Sequence, residues 1–278
     1  MSNRVAVITG PTSGIGRVTA LELAKKGYDL ILVARDHKKV LELQSEIDNV
    51  VKTDFVECDL SSINSVRKAV EVIRQRYTKI DLLINNAGII VQKKQMSVDG
   101  IELTFATNHI GPFILTIGLI GLLKSGYKPR IVHVSSAAHF AAFFDIDKLV
   151  NPDWYQDLIV YSRSKLCNIL FSNELADRLE PFRITSNVVH PGTVASNFAG
   201  DSTGLTGAFM RMFRPFFKTT EQGASTTIYV ATAPELDGVT GRYFVNSKPG
   251  RTSSMSKNKA LGKKLWELSE QLIKTGSK

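Results

Sequence analysis

A carbonyl that becomes an alcohol needs a proton at its developing alkoxide, and this sequence holds a pair of residues suited to deliver one. Tyr161 and Lys165 stand four residues apart in Tyr-Ser-Arg-Ser-Lys, so in a helix a phenol and an ammonium share one face. A free phenol titrates near ~10, too high to exchange protons readily at neutral pH. An adjacent ammonium lowers that value. By itself such a pair is equally at home on a solvated helix surface, so its meaning depends on its neighbours. A second hydroxyl to hold a substrate oxygen is available at Ser135 or Ser136, which close the apolar run PRIVHVSS. Far upstream, Thr9-Gly10-Pro11-Thr12-Ser13-Gly14-Ile15-Gly16 follows a β-branched run directly. Gly10 permits a tight turn, Gly14 lets backbone approach a pyrophosphate, and Gly16 permits close helix–strand packing. A helix opening there aims free N–H groups at an anion.

These groups require a frame, and hydrophobic patterning supplies one. Strands are expected at 4–9, 29–34, 53–59, 80–85, 129–136, 183–190 and 242–246, each a nearly continuous apolar run. Helices are expected at 17–26, 36–49, after Ser61-Ser62, at 102–124 (long and buried), 161–179, 220–232 and 258–274. Residues 137–160 read as irregular and aromatic, and 193–219 as a lid. Strands alternating with helices predict an α/β fold, a single-domain doubly wound parallel sheet of Rossmann type with helices on both faces. Length alone suggests about two domains, but no linker or repeat interrupts the pattern, so one domain spanning 1–278 is expected.

In open sheets of this kind ligands bind at the carboxyl ends of the strands, so the glycine turn reads as a dinucleotide site. The end of the second strand separates NAD from NADP. An acid there would bond both ribose hydroxyls and repel a 2′-phosphate, but the sequence has Ala34-Arg35. Asp36, one residue later, reads as the cap of the following helix. Arg35 can stack on adenine and bond the 2′-phosphate with its planar fork, and Arg17 is placed to assist. NADP(H) is therefore favoured over NAD(H). The positive charge of an oxidised nicotinamide would join Lys165 in lowering the Tyr161 phenol, and Lys165 would also bond the nicotinamide ribose.

The glycine turn, Asn85-Asn86-Ala87-Gly88, the Ser136 region, YSRSK and HPGTV (190–194) occur in an order that resembles the short-chain dehydrogenase/reductase family, over essentially the whole chain. TNHIGPFILT (107–116), the long gap from Ser136 to Tyr161 and GRYFVNSKPGR (241–251) look most like its retinol-dehydrogenase-like branch. The resemblance implies catalytic roles for Asn108, Ser136, Tyr161 and Lys165, with Ser136 chosen over Ser135 and Asn108 positioning a water near Lys165. It implies phosphate contacts from Gly10, Ser13, Gly14, Ile15 and Gly16. Arg35 would take the 2′-phosphate, Asp59 and Leu60 the adenine, and Asn86 and Gly88 the adjoining ribose. Tyr161, Lys165, Pro191, Gly192, Thr193 and Val194 would surround the nicotinamide end. Asp59 reads equally well as a local cap. The chain departs from many members of the branch at its N-terminus, where no membrane anchor is expected, and in its tail, so a substrate identity does not carry over.

Composition narrows the rest. Hydrophobic residues at 43% and charged residues at 22% exclude global disorder, collagen and coiled coil. The chain enters its first strand by Val5, and apolar runs are interrupted before ~18 residues, so neither a leader nor a membrane span is expected and the setting reads as cytoplasmic. Two separated cysteines predict neither a disulfide framework nor a zinc site, and His109, His133 and His139 read as structural, with no metal expected. The net charge of +9 sits largely in the segment from Lys248 to the end and reads as a solvated tail helix. No nucleic-acid motif accompanies it. Aromatics at 139–155 and 198–217 lie outside the strands and suit a small apolar carbonyl or alcohol substrate. A subunit interface, in a homo-oligomer and first of all a dimer, suits them too. Arg211, Arg214 and Lys218 among them are also compatible with peripheral membrane contact. The function expected is an NADP(H)-dependent oxidoreductase interconverting a carbonyl and an alcohol. The second reading, a sensor or scaffold that binds the cofactor without turnover, would not need the full Ser, Tyr and Lys set.

Overall fold

The computed structural model describes residues 4–47, 50–192 and 219–275. Among them, eight strands form one sheet in the order β3-β2-β1-β4-β5-β6-β7-β8. They are β1 (Arg4–Thr9), β2 (Tyr28–Ala34), β3 (Thr53–Glu57), β4 (Leu82–Asn85), β5 (Arg130–Val134), β6 (Thr185–His190), β7 (Tyr243–Val245) and β8 (Lys248–Pro249). All neighbours pair in parallel except β8, which returns antiparallel on β7. The helices are α1 (Gly14–Lys25), α2 (His37–Ile47), α3 (Ile63–Arg76), the single turn α4 (Leu103–Phe105), α5 (Gly111–Lys124), α6 (Asp157–Leu179), α7 (Thr220–Thr232) and α8 (Lys259–Thr275).

Strand alternation divides the core. Val5 and Val7 of β1 point toward α3, α5, α6 and α8, whereas Ala6 and Ile8 point toward α1, α2 and α7. Both faces are therefore covered, which is why the strands read as unbroken apolar runs. The stretch Leu103–Lys124 reaches a mean hydropathy of 1.5, but Phe105, Phe113, Leu115, Leu119 and Leu123 bury it in the core.

Three expectations are corrected here. The predicted helix over 102–124 is broken by a π-helical turn, Ala106–Ile110, between α4 and α5. Helix α6 opens at Asp157, four residues earlier than expected, so Tyr161 lies inside the helix rather than at its start. After β7, Asn246 and Ser247 take positive φ values of 52° and 57° and turn the chain back as β8. Both central residues left-handed is the geometry of a tight hairpin turn, which Asn-Ser signals less plainly than Asn-Gly would.

The strand order reverses direction between β1 and its neighbours β2 and β4. Loops leaving the carboxyl ends of β1 and β4 therefore part to opposite faces and open a crevice between them.

Candidate active site

The glycine turn lies at that crevice. Gly10 and Gly14 have φ of 63° and 51°, the left-handed region that favours glycine. A Cβ on Gly16 would stand 2.1 Å from the Gly10 carbonyl oxygen and 2.4 Å from Asn86 Nδ2, so α1 can close on the turn only without a side chain there. Asn86 staples the turn to β4: its Nδ2 donates to the carbonyls of Thr9 at 2.9 Å and Gly10 at 3.2 Å. The Thr9 hydroxyl accepts from the backbone N–H groups of Asn86 and Ala87, each at 3.0 Å. Ser13 precedes α1 in extended backbone, and its hydroxyl caps no helical N–H. An exposed hydroxyl and the first N–H groups of α1, Ile15 among them, thus face the crevice beside backbone that no Cβ obstructs. This cradle fits a pyrophosphate.

At the end of β2, Arg35 is exposed and makes no hydrogen bond or ion pair with the described residues. Asp36 accepts from the Lys39 N–H at 3.2 Å, so it caps α2 as expected. Arg17 is committed elsewhere, in an ion pair with Glu46 of α2. Asp59 is likewise engaged locally, accepting from the Ser61 N–H at 2.9 Å and the Ser61 hydroxyl at 2.8 Å. The Leu60 side chain is buried in the core, which leaves its backbone as the part able to meet a ligand.

Deeper in the crevice the two serines separate. Ser135 Oγ donates to the Lys165 carbonyl at 2.7 Å, and Ser135 is buried, so it fastens α6 to the sheet. The Ser136 hydroxyl instead bonds the Tyr161 phenol and accepts from the Ala138 N–H at 3.2 Å. Lys165 Nζ lies 5.4 Å from the Tyr161 ring centroid and donates to the Val134 carbonyl at 3.1 Å. Asn108, inside the π-helical turn, accepts from the Ile89 N–H at 2.7 Å and donates to the Ile89 carbonyl and the Ser164 hydroxyl, each at 2.9 Å. A Cβ on Gly88 would stand 3.1 Å from Lys165 Nζ and 3.3 Å from Asn108 Oδ1, so both side chains converge on this glycine. The structure thus brings Asn108, Ser136, Tyr161, Lys165 and Gly88 together. Pro191 and Gly192 follow β6 at the same sheet edge, Gly192 with φ of 90°. Thr193 and Val194, like the aromatic segment 198–217, lie outside the described residues.

Electrostatics differ from the expectation on one point. Burial pushes the Tyr161 phenol up to about 12, and the Ser136 hydrogen bond only opposes it. Burial also brings the Lys165 ammonium down to about 8, so the cation that was to lower Tyr161 is itself weakened. Desolvation, which sequence cannot express, is the largest influence on both groups.

In the 137–160 segment, Phe140, Phe143 and Trp154 are 56%, 74% and 67% exposed, which leaves them free to meet a ligand. Phe144 is not: it packs against the core. Tyr155 is also engaged, its hydroxyl donating to the Val91 carbonyl at 2.5 Å. Sequence reading missed the hold of His139 on Ser136, whose carbonyl accepts from the ring at 2.7 Å. A histidine three residues after the serine was the available signal.

Comparison with known proteins agrees with this geometry. A model of the short chain dehydrogenase family matches residues 4–204. The chain is 37% identical to human retinol dehydrogenase 14, over 98% of this chain and 87% of that protein. It is 39% identical to the chloroplastic short-chain dehydrogenase TIC 32 B of Brassica napus, over 96% of this chain and 88% of that protein. Among solved structures, an uncharacterised protein from Mycobacterium Paratuberculosis superposes with a TM-score of 0.79 at 32% identity, covering 98% of this chain and 93% of that one.

Proposed function

The chain belongs to the short-chain dehydrogenase family, in its retinol-dehydrogenase-like branch, and we propose that it uses NADP(H) to interconvert an apolar aldehyde or ketone and its alcohol. The observation that carries this reading is the convergence of Ser136, Tyr161 and Lys165 beside a glycine cradle. When bound, NADP(H) supplies or accepts the reducing equivalent.

The chain's own residues do the rest. The hydroxyls of Ser136 and Tyr161, already bonded to each other, hold the substrate oxygen between them, and Tyr161 gives up its proton as charge develops there. A phenol near about 12 stays protonated at neutral pH, the state that reduction needs. Lys165, with Nζ 5.4 Å from the Tyr161 ring centroid, stabilises the resulting phenolate and would bond the nicotinamide ribose. Asn108 holds the backbone at Ile89 and borders the Lys165 ammonium.

Two features support the finer choices. Arg35, without a partner among the described residues and standing where NAD-dependent proteins carry an acid, favours the 2′-phosphate. Exposed Phe140, Phe143 and Trp154 favour an apolar substrate, since burying each against a ligand removes a large apolar surface from water. The test is NADPH oxidation against aldehydes and ketones of rising chain length. Long substrates should exceed short ones by more than tenfold in kcat/KM, and Tyr161→Phe should bind NADPH normally while losing a hundredfold or more in kcat. More than about a tenth of wild-type turnover in Tyr161→Phe would remove the phenol from the proton-donor role.

A further inference from the structure

The turn that carries Ser136 is braced from two sides. Its Ala137 N–H donates to His190 Nδ1 at 3.3 Å. The Ser136 carbonyl accepts from the backbone N–H of His139 at 3.2 Å and from its ring Nδ1 at 2.7 Å. His139 is only 1% exposed, packed between the rings of Phe140 and Tyr243 at centroid distances of 4.1 and 5.2 Å. On its far side, Nε2 lies 3.3 Å from the backbone N–H of Ser253. A peptide N–H can only donate, so Nε2 is the bare nitrogen and the proton sits on Nδ1. The ring therefore accepts from the C-terminal segment and donates to the Ser136 carbonyl.

That segment is itself tied to α6. Ser256 is buried, its hydroxyl donates to the Ser253 carbonyl at 2.7 Å, and its own carbonyl accepts from Asn173 Nδ2 at 2.9 Å. Asn173 lies three turns along the same helix that carries Tyr161 and Lys165. A chain of contacts thus runs from α6 through residues 253–256 and His139 to Ser136, and closes on α6 again at Tyr161.

We propose that His139 is a positioning residue: its Nδ1–H, held in that tautomer by the Ser253 N–H, grips the Ser136 carbonyl and so fixes the Ser136 hydroxyl against Tyr161. The inference rests on the reading of Ser136 as the holder of the substrate oxygen. Misplacing such a donor by about 1 Å is enough to cost ~10²-fold in rate.

The two ring nitrogens can be replaced one at a time. In His139→Asn the side-chain amide puts a donor where Nδ1 stands and leaves the Ser253 N–H unmet. In His139→Gln the amide oxygen reaches the Nε2 position, and the donor to Ser136 is lost. Steady-state kinetics with NADPH and a long aldehyde should show His139→Gln losing tenfold or more in kcat, with NADPH affinity and thermal midpoint near wild type. His139→Asn should recover kcat to within about threefold of wild type. Equal losses in the two variants, or wild-type kcat in His139→Gln, would overturn the positioning role, provided Ser136→Ala is itself slow. A Ser136→Ala enzyme with wild-type kcat would overturn the Ser136 reading instead, and this inference with it. If His139→Gln does not fold, His139→Leu removes the same donor to Ser136 with a side chain of similar bulk. A fall in kcat with NADPH binding retained supports the role, and wild-type kcat overturns it.

Discussion

Among the described residues Arg35 meets no partner, which suits it to the proposed 2′-phosphate contact. Exposed at the end of β2, it keeps its planar fork available, while Arg17 is spent on Glu46 and Asp36 on the cap of α2. Arg35→Asp should accordingly weaken NADPH by tenfold or more and leave NADH unchanged or improved, because a carboxylate repels the 2′-phosphate and accepts from ribose hydroxyls. Equal losses for both cofactors in a fluorescence titration would show that the phosphate is read elsewhere. Lys165 makes a second prediction. Its ammonium, brought down to about 8 by burial, is charged below that pH and neutral above it. Reductive kcat/KM should therefore fall along an alkaline limb near pH 8, as the phenolate loses its counter-charge; a profile flat from pH 7 to 10 would exclude Lys165 from the titration. Tyr161 and Lys165 were legible from their spacing, because helical periodicity converts four residues into one face. The choice between Ser135 and Ser136 was not, since adjacent residues at a strand end diverge by a turn whose direction sequence does not state. The Ser135 hydroxyl went to the Lys165 carbonyl, and only Ser136 remained for Tyr161.

Elements set these positions through close backbone approach. Helix α1 meets the glycine turn with no room to spare at Gly16, where a methyl group would overlap the Gly10 carbonyl oxygen at 2.1 Å. Backbone cannot yield as a flexible side chain does, so Gly16→Ala should displace α1 and break the Asn86 staple. The expected cost is about 1–3 kcal/mol in a urea melt and at least tenfold in NADPH affinity. An Ala variant with wild-type values for both would mean that the turn relaxes freely. The glycine spacing announced this contact from the sequence. The π-helical turn at Ala106–Ile110 was not announced, because TNHIGPFILT carries an ordinary buried-helix pattern. What opens the turn is a competition: Asn108 bonds both backbone groups of Ile89, a partner about twenty residues away that local propensity cannot register. Helix α6 and the β7–β8 hairpin were misjudged at their ends for a related reason. Gln156 provides no side-chain cap for α6, and the Asn246-Ser247 turn lacks the glycine that usually marks one.

The doubly wound sheet was legible throughout because both of its faces are buried, so each strand had to be an uninterrupted apolar run. Buried polar groups inside that core were visible only as isolated histidines, and they give the fold a dependence on pH. His109 is enclosed by Phe105, Phe113 and Phe171, and His133 meets Phe171 edge-on at 5.2 Å. The hydroxyl of Ser269 donates to the Leu265 carbonyl, so His109 Nε2 must donate to Ser269 at 2.9 Å and Nδ1 is bare. Asn85 Nδ2 faces His133 Nδ1 at 3.3 Å, which likewise leaves that ring neutral. Burial lowers both to about 3, from an ordinary value near 6.5. A depressed folded-state value means that stability is fully present above the unfolded value and is lost as pH falls from about 6.5 toward about 3, because only the unfolded chain binds the protons. At pH 5 each ring then costs about 2 kcal/mol, or about 4 kcal/mol together, a drop on the order of 10 °C in Tm. Glu102, whose carboxyl burial holds above the usual range, works in the opposite sense and makes the comparison of variants necessary. Urea denaturation at pH 7 and pH 5 should show the loss in the wild type, and about half of it in His109→Gln. Equal stability at the two pH values in the wild type would mean that one or both rings reach solvent, and the packed layer between sheet, α5 and α6 would have to be looser than the structure draws it.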